Sequence, residues 1–184
     1  PLRAKKGTHY EGGMRVPFIA SWAKPDPDNT FQKERPIPCG VINTTDIGVA
    51  YDVFTTVLDV AGGDYGEHVV DGIDLSPIFT SAKGSTANRE FLMHFPHSHR
   101  SSYFTAFRKG DWKLIYHYDQ NSGPSDDKIE LFNLAADLDE STNLASSNPE
   151  KLREMINAMN ASLEETDAQL PITKEGHPLK KPKL

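Results

Sequence analysis

Lys6 stands directly before Gly7 in the run Lys5-Lys6-Gly7-Thr8-His9-Tyr10-Glu11-Gly12-Gly13-Met14-Arg15-Val16-Pro17, close to the amino end. A lysine ammonium is a compact charge on a flexible stem and can meet the oxygens of a tetrahedral anion. Gly7 allows close approach of backbone to a ligand, and Gly12-Gly13 permits a tight turn. On residue chemistry alone the run also reads as a charged loop entering a strand, because single-loop motifs recur by chance. A second group is His94-Phe95-Pro96-His97-Ser98-His99-Arg100, with three histidines and an arginine within seven residues. Neutral imidazole is a common metal ligand. Pro96 breaks helical spacing there, and a polar loop between strands is the alternative. Arg100 can pair bidentately with an anion.

Other reactive residue types read as structural. Cys39 is alone, so it forms no intrachain disulfide or cysteine zinc cluster, and a buried thiol is expected. Asp71 and Asp74 fall short of the 6–8 oxygens calcium takes, so turn and capping roles are expected. Asp46 sits where a helix is expected to begin, where negative charge is stabilised.

The elements that must position these residues follow from periodicity. Met14, Val16, Phe18 and Ala20 alternate with Arg15, Pro17, Ile19 and Ser21, which predicts a strand over 14–21. The proline-rich stretch 23–40 predicts an irregular connection. Ile47, Tyr51, Phe54, Leu58 and Ala61 fall on one helical face. Thr44 or Thr45 is the expected cap of that helix, and Gly62 the residue past its end. Residues 62–88 are rich in Gly, Asp, Ser and Thr, and a domain boundary is placed near residue 85. Strands are expected over 90–95, 103–109, 112–118 and 129–134, with Gly110-Asp111 as a hairpin turn. Trp112, Leu114, Tyr116 and Tyr118 share one face. Four strands with short links favour an antiparallel sheet. Asn148-Pro149-Glu150 opens a helix whose stripe, Leu152, Met155, Ile156, Met159 and Leu163, packs on that sheet. Residues 171–184 are expected to be extended or mobile.

The bulk composition narrows the classes. The 184 residues are 37% hydrophobic and 25% charged, as in a soluble globular protein. A net charge of −6 argues against nucleic acid as partner, since that binding relies on a basic surface. No apolar run approaches the roughly 18 residues of a membrane span. The chain begins with Pro1 and shows no signal peptide, which reads as a fragment, a processed product or one piece of a nicked protein.

Lys6-Gly7-Thr8-His9-Tyr10-Glu11-Gly12-Gly13-Met14-Arg15-Val16-Pro17 resembles the second signature of the sulfatase family, K-G-x-x-x-E-G-G-x-R-x-P. Thr45-Asp46-Ile47, Asp71-Gly72-Ile73-Asp74-Leu75, Arg108-Lys109-Gly110-Asp111-Trp112-Lys113-Leu114-Ile115 and Glu130-Leu131-Phe132-Asn133-Leu134 resemble later segments of the family, in its order. The likeness is to the carboxy-terminal portion. It implies an α/β fold: residues 1–85 end a large alkaline-phosphatase-like α/β domain, and residues 86–184 form a small α+β subdomain. That subdomain is a four-stranded antiparallel sheet packed with a C-terminal helix.

The resemblance also implies roles. Lys6 matches the family's sulfate-binding active-site lysine, with Lys5 the alternative if the register shifts. His97 resembles a sugar-binding residue, with His94, His99 and Arg100 as weaker candidates. The family's nucleophile is a formylglycine made from Cys or Ser in C/S-x-P-x-R. Cys39 lies in Cys39-Gly40-Val41-Ile42-Asn43, which lacks both the proline and the arginine. The ligands of the family's calcium belong to upstream segments, so no metal ligand is assigned in this chain.

The implied enzyme hydrolyses sulfate esters, most fittingly of a sulfated carbohydrate, and this chain alone is expected to be inactive. Its implied partners are a sulfated small molecule or carbohydrate and an amino-terminal segment of the same protein. Location outside the cytosol, whether periplasmic, secreted or lysosomal, follows by resemblance. Asn43-Thr44-Thr45 and Asn160-Ala161-Ser162 fit a glycosylation pattern. Two other readings stay open: a phosphate or phosphonate ester hydrolase of the same superfamily, and a non-catalytic carbohydrate-binding module. Binding of sulfated oligosaccharides by the chain alone would mark the last.

Overall fold

A computed structural model describes residues 1–80, 86–97, 103–118, 128–173 and 175–183. The chain divides into two compact units. One joins Pro1–Val16 to Arg89–Leu184, and the other is Pro17–Asn88. This cut differs from a division at residue 85, because the first sixteen residues pack on the later segment.

The larger unit is built on an antiparallel meander. β1 (Glu90–Phe95), β2 (Phe104–Lys109), β3 (Trp112–His117) and β4 (Ile129–Asn133) lie in the order β1-β2-β3-β4. The turn between β2 and β3 is Gly110-Asp111, and Gly110 takes φ +57°, which a Cβ resists. Alternation sorts the side chains as the sequence predicts. Leu114, Tyr116 and Tyr118 join Phe107 and Leu131 against the helix α5 (Pro149–Glu165), and Trp112 packs at the edge of that cluster. Leu152, Met155, Ile156, Met159 and Leu163 are the buried stripe of α5. Pro149 occupies the first turn, but the Asn148 side chain makes no capping bond; its carbonyl accepts from Leu152 N–H at 2.9 Å.

The opposite face of the sheet carries Phe104, Ala106, Ile115 and Phe132, which pack with Tyr10. Lys113, His117 and Glu130 are buried on the same face. Tyr10 belongs to the amino-terminal segment, which holds one short turn of helix, α1 (Glu11–Met14). The strand expected over 14–21 is absent. The chain leaves α1 at Arg15 in an extended conformation, but no strand among the described residues pairs with it. Val16, Phe18 and Ile19 are exposed.

The described residues after Pro171 are not simply extended: the chain turns back so that Ile172 bridges Pro178 antiparallel. Leu179 N–H donates to the Pro171 carbonyl at 2.7 Å, Asn160 Nδ2 to the Pro182 carbonyl at 2.9 Å, and Lys181 pairs with Glu164.

The smaller unit holds α2 (Thr30–Glu34), α3 (Asp52–Val60) and α4 (Ser76–Thr80). α3 starts six residues later than Asp46. The Asn43 side chain accepts from the Thr45 and Asp46 N–H groups and bends the chain away from helix. Asp46 instead accepts from Thr86 N–H and Oγ1. Asp52 takes the helix-start role, accepting from Val49 N–H at 2.7 Å and Ile73 N–H at 3.0 Å. Gly62 follows α3 with φ +70°. Asp74 accepts from Ser76 N–H at the start of α4. The buried face of α3 is its polar one, Asp52, Thr55 and Thr56, while Tyr51, Phe54 and Val57 are exposed. Cys39 is exposed rather than buried, in a turn completed by Gly40 at φ +79°.

Candidate functional site

Two glycines fold the amino-terminal segment onto itself. A Cβ on Gly12 would stand 2.3 Å from the Arg3 carbonyl oxygen, and one on Gly13 would stand 2.3 Å from that of Thr8 and 2.8 Å from that of Lys5. No other residue type fits at either place. Gly12 N–H donates to the Arg3 carbonyl at 2.8 Å, which closes residues 3–12 into a loop. Lys6 lies on this loop beside Gly7, whose φ is +88°. Its side chain is exposed and pairs with no described residue.

Below the loop the contacts are buried and charged. Glu11, the first residue of α1, accepts from Lys113 Nζ at 2.9 Å, and its own N–H donates to Glu140 Oε2 at 2.6 Å. Lys113 Nζ also forms an ion pair with Glu140 Oε1 at 2.8 Å. Arg108 and Arg15 lie 3.8 and 4.0 Å from the other Glu11 oxygen. Burial pushes the Glu140 carboxyl above the usual range, against the pull of Lys113.

A second cluster adjoins it. Glu130 Oε2 accepts from the Tyr10 hydroxyl at 2.8 Å and faces His117 Nε2 at 2.8 Å. Arg3 reaches Glu130 Oε1 at 3.4 Å, donates to the Glu140 carbonyl at 2.7 Å, and stacks 3.8 Å above the Tyr10 ring. Burial, and then the nearby carboxylate of Glu130, raise the Tyr10 phenol well above its ordinary pKa. His9 is sealed beside His117, Tyr10 and Phe104, with ring centroids 4.3–4.7 Å apart.

His9, His117 and Glu130 bring ligand atoms within 4.8 Å of one another. The donor set does not suit calcium, which takes 6–8 oxygens, because two of the three are imidazoles. Glu130 is already shared by Arg3, Tyr10 and His117, and the 2.8 Å spacing to His117 Nε2 is that of a hydrogen bond. The cluster reads as a buried hydrogen-bond group.

The histidine-rich stretch divides between the two faces of the sheet. The His94 ring contacts Thr105 Oγ1 at 2.8 Å and the Gln169 carbonyl at 2.7 Å, edge-on to Tyr118 on the α5 face, so both nitrogens are engaged internally. His97 is exposed and its ring lies 4.2 Å from that of Phe95. Phe95 stacks on Phe104 at 5.5 Å, and Phe104 meets His9 at 4.6 Å. A row of rings thus runs from His97 to the loop that carries Lys6. His99 and Arg100 lie outside the described residues. The two glycosylation-pattern asparagines use their side-chain nitrogens internally: Asn43 toward Asp46 and the Ile78 carbonyl, Asn160 toward the Pro182 carbonyl.

Sequence reasoning did not single out Lys113, His117, Glu130 or Glu140. The available signal was the strand alternation, which sets Lys113 and His117 opposite Leu114 and Tyr116.

Comparison with known proteins gives consistent relatives, although no family model matches the chain. A sulfatase of Formosa agariphila is 31% identical over 160 residues, 81% of this chain and 26% of that protein. Human arylsulfatase A is 32% identical over 126 residues, 68% of this chain and 22% of that protein. Among solved structures, Ps i-CgsB in complex with k-i-k-neocarrahexaose superposes with a TM-score of 0.67 at 25% identity, covering 88% of this chain and 31% of that one. The chain therefore spans less than a third of the length of each of these relatives.

Proposed function

We propose that this chain, a member of the sulfatase family, is the carboxy-terminal part of an enzyme that hydrolyses sulfate esters, and that Lys6 is its contribution to the reacting centre. Breaking the S–O bond of a sulfate ester builds negative charge on the ester and sulfonyl oxygens. A cation fixed at that place stabilises the charge without reorganising during the reaction. The observation that carries this reading is the loop itself. Gly12 and Gly13 press it against α1 so closely that Lys6 is held out at the surface with no internal partner among the described residues. A lysine serving only as a surface charge requires no such backing.

His97 is the proposed contact to the sugar. It is exposed, and its ring sits at the end of the aromatic row that leads to the loop. His94 is a poor contact, since both its nitrogens are engaged. The carbohydrate reading draws support from the k-i-k-neocarrahexaose in complex with Ps i-CgsB. The family's formylglycine would supply the nucleophile; no stretch of this sequence matches its motif, and no group among the described residues offers the oxygen-rich set calcium takes. The residues of this chain bind and orient the anion.

The test is Lys6→Ala in the longer enzyme that contains this chain. A fall in kcat of about 10²–10³-fold is expected on loss of one such electrostatic group. Unchanged kcat on a sulfate ester would remove Lys6 from the reaction. Running the same assay with the matching phosphate ester separates a sulfatase from a phosphoesterase. His97→Ala should raise KM for a sulfated oligosaccharide while leaving a small aryl sulfate unaffected.

A further inference from the structure

Among the described residues Lys6 has no partner that would fix it, so its place depends on the backbone beneath. That backbone ends on one buried lysine. Lys113 is 1% exposed and stands between Glu11, 3% exposed, and Glu140, fully buried. Burying two carboxylates and an ammonium is costly, and a buried ion pair is often no more stabilising than an apolar substitute of the same shape. What such a pair can fix is geometry.

We propose that Lys113 is a positioning residue for Lys6, acting through Glu11 and Glu140. The inference rests on the reading of Lys6 given above. Lys113 holds the Glu11 carboxylate at 2.9 Å, and Glu11 opens α1. Gly12 and Gly13 of that turn are in backbone contact with Arg3, Lys5 and Thr8 on either side of Lys6. Glu140 clamps the same loop from two directions. Its side chain accepts the Glu11 N–H at 2.6 Å, and its carbonyl accepts the Arg3 guanidinium at 2.7 Å. Glu140 does this from φ +52°, a left-handed conformation uncommon for a residue with a side chain. The path from Lys113 to Lys6 is thus one ion pair, one helical turn and one backbone-on-backbone contact.

The test compares Lys113→Met, Lys6→Ala and the double variant in the longer enzyme, with 4-nitrophenyl sulfate as the probe. Lys113→Met is expected to lower kcat by about 10²-fold, as a displacement of a catalytic group near 1 Å can, with KM little changed. The double variant is expected to be no slower than Lys6→Ala alone, because the two residues then act as one unit. Leu163→Ala, in the core on the other face of the sheet, should lower the melting temperature and leave kcat unchanged. If Lys113→Met keeps its kcat, or slows the Lys6→Ala enzyme by the same factor as the wild type, the inference is overturned while the role of Lys6 stands. Wild-type kcat for Lys6→Ala overturns that role, and the inference with it. Should Lys113→Met fail to fold, Glu140→Gln keeps the shape and weakens the clamp. It should show a smaller fall in kcat that again vanishes in the Lys6→Ala background, and a fall that persists there overturns the proposal.

Discussion

His9 is fully buried, and no described residue hydrogen-bonds either of its ring nitrogens. Burial, then the charges of His117, Lys113 and Arg3, lower its pKa from 6.5 to about 3. The folded form therefore holds His9 neutral at a pH where the unfolded chain protonates it. Its contribution to stability is complete above pH 6.5 and is lost as pH falls toward 3. Unfolding takes up one proton over that window, so stability should fall by up to about 1.4 kcal/mol per pH unit. The urea midpoint between pH 7 and pH 4 measures this. His9→Phe, which suits the aromatic surroundings, should flatten the dependence by about one proton, and an unchanged slope would place the titration elsewhere. The loop that carries Lys6 was legible at this scale, because Gly7 and the Gly12-Gly13 turn are a local pattern. Lys113, Glu130 and Glu140 were not. Charged residues lie at the surface by default. Only the return of residues 1–16 onto β3 and β4, across more than a hundred positions, makes them interior.

Elements were legible where their partners are close in sequence. The β2–β3 hairpin needs only its alternation and Gly110, and the stripe of α5 packs on strands that precede it. The strand expected over 14–21 has the right pattern, but a strand also needs a neighbour for its N–H and C=O groups, and the described residues supply none. α3 kept its end and lost its start, because the Asn43 side chain competes for the backbone N–H groups at 45 and 46. The strength of the legible part can be measured. Met155 is fully buried in the core between α5 and the sheet, so Met155→Ala should cost about 2–5 kcal/mol. Gly13→Ala tests the amino-terminal fold separately. Its new methyl would meet the Thr8 carbonyl at 2.3 Å, so the loop must shift. It should lose about 1–3 kcal/mol by overpacking and, in the longer enzyme, activity out of proportion to that loss. Wild-type activity in Gly13→Ala would show that the loop tolerates displacement.

At the scale of the molecule the two units are unlike in what they bury. The larger one has an apolar cluster on each face of its sheet. Among the described residues the smaller one buries chiefly hydrogen-bonded polar groups, Asp52, Thr55, Thr56 and Thr86, with Ile47 and Leu75 as its buried hydrophobic residues. Its apolar side chains face out: Phe54 is 59%, Val57 62% and Ile19 88% exposed. Of the apolar positions expected on one face of this helix, only Phe54 and Leu58 fall within α3, whose buried side is polar. Large exposed apolar patches promote association. The 184-residue chain is therefore expected to self-associate at about 50 µM, a range in which exposed apolar surface drives aggregation. Light scattering across a dilution series measures it. Phe54→Glu together with Val57→Lys places charge on the exposed stripe without touching Asp52, Thr55 or Thr56, whose bonds hold residues 73–75 to α3. That pair should reduce association while leaving the helical circular dichroism and the urea midpoint of the larger unit unchanged. A wild-type chain that stays monomeric at that concentration would mean the patch is too dispersed to act. If the charged pair unfolds the smaller unit instead, the outward stripe contributes to folding within the chain.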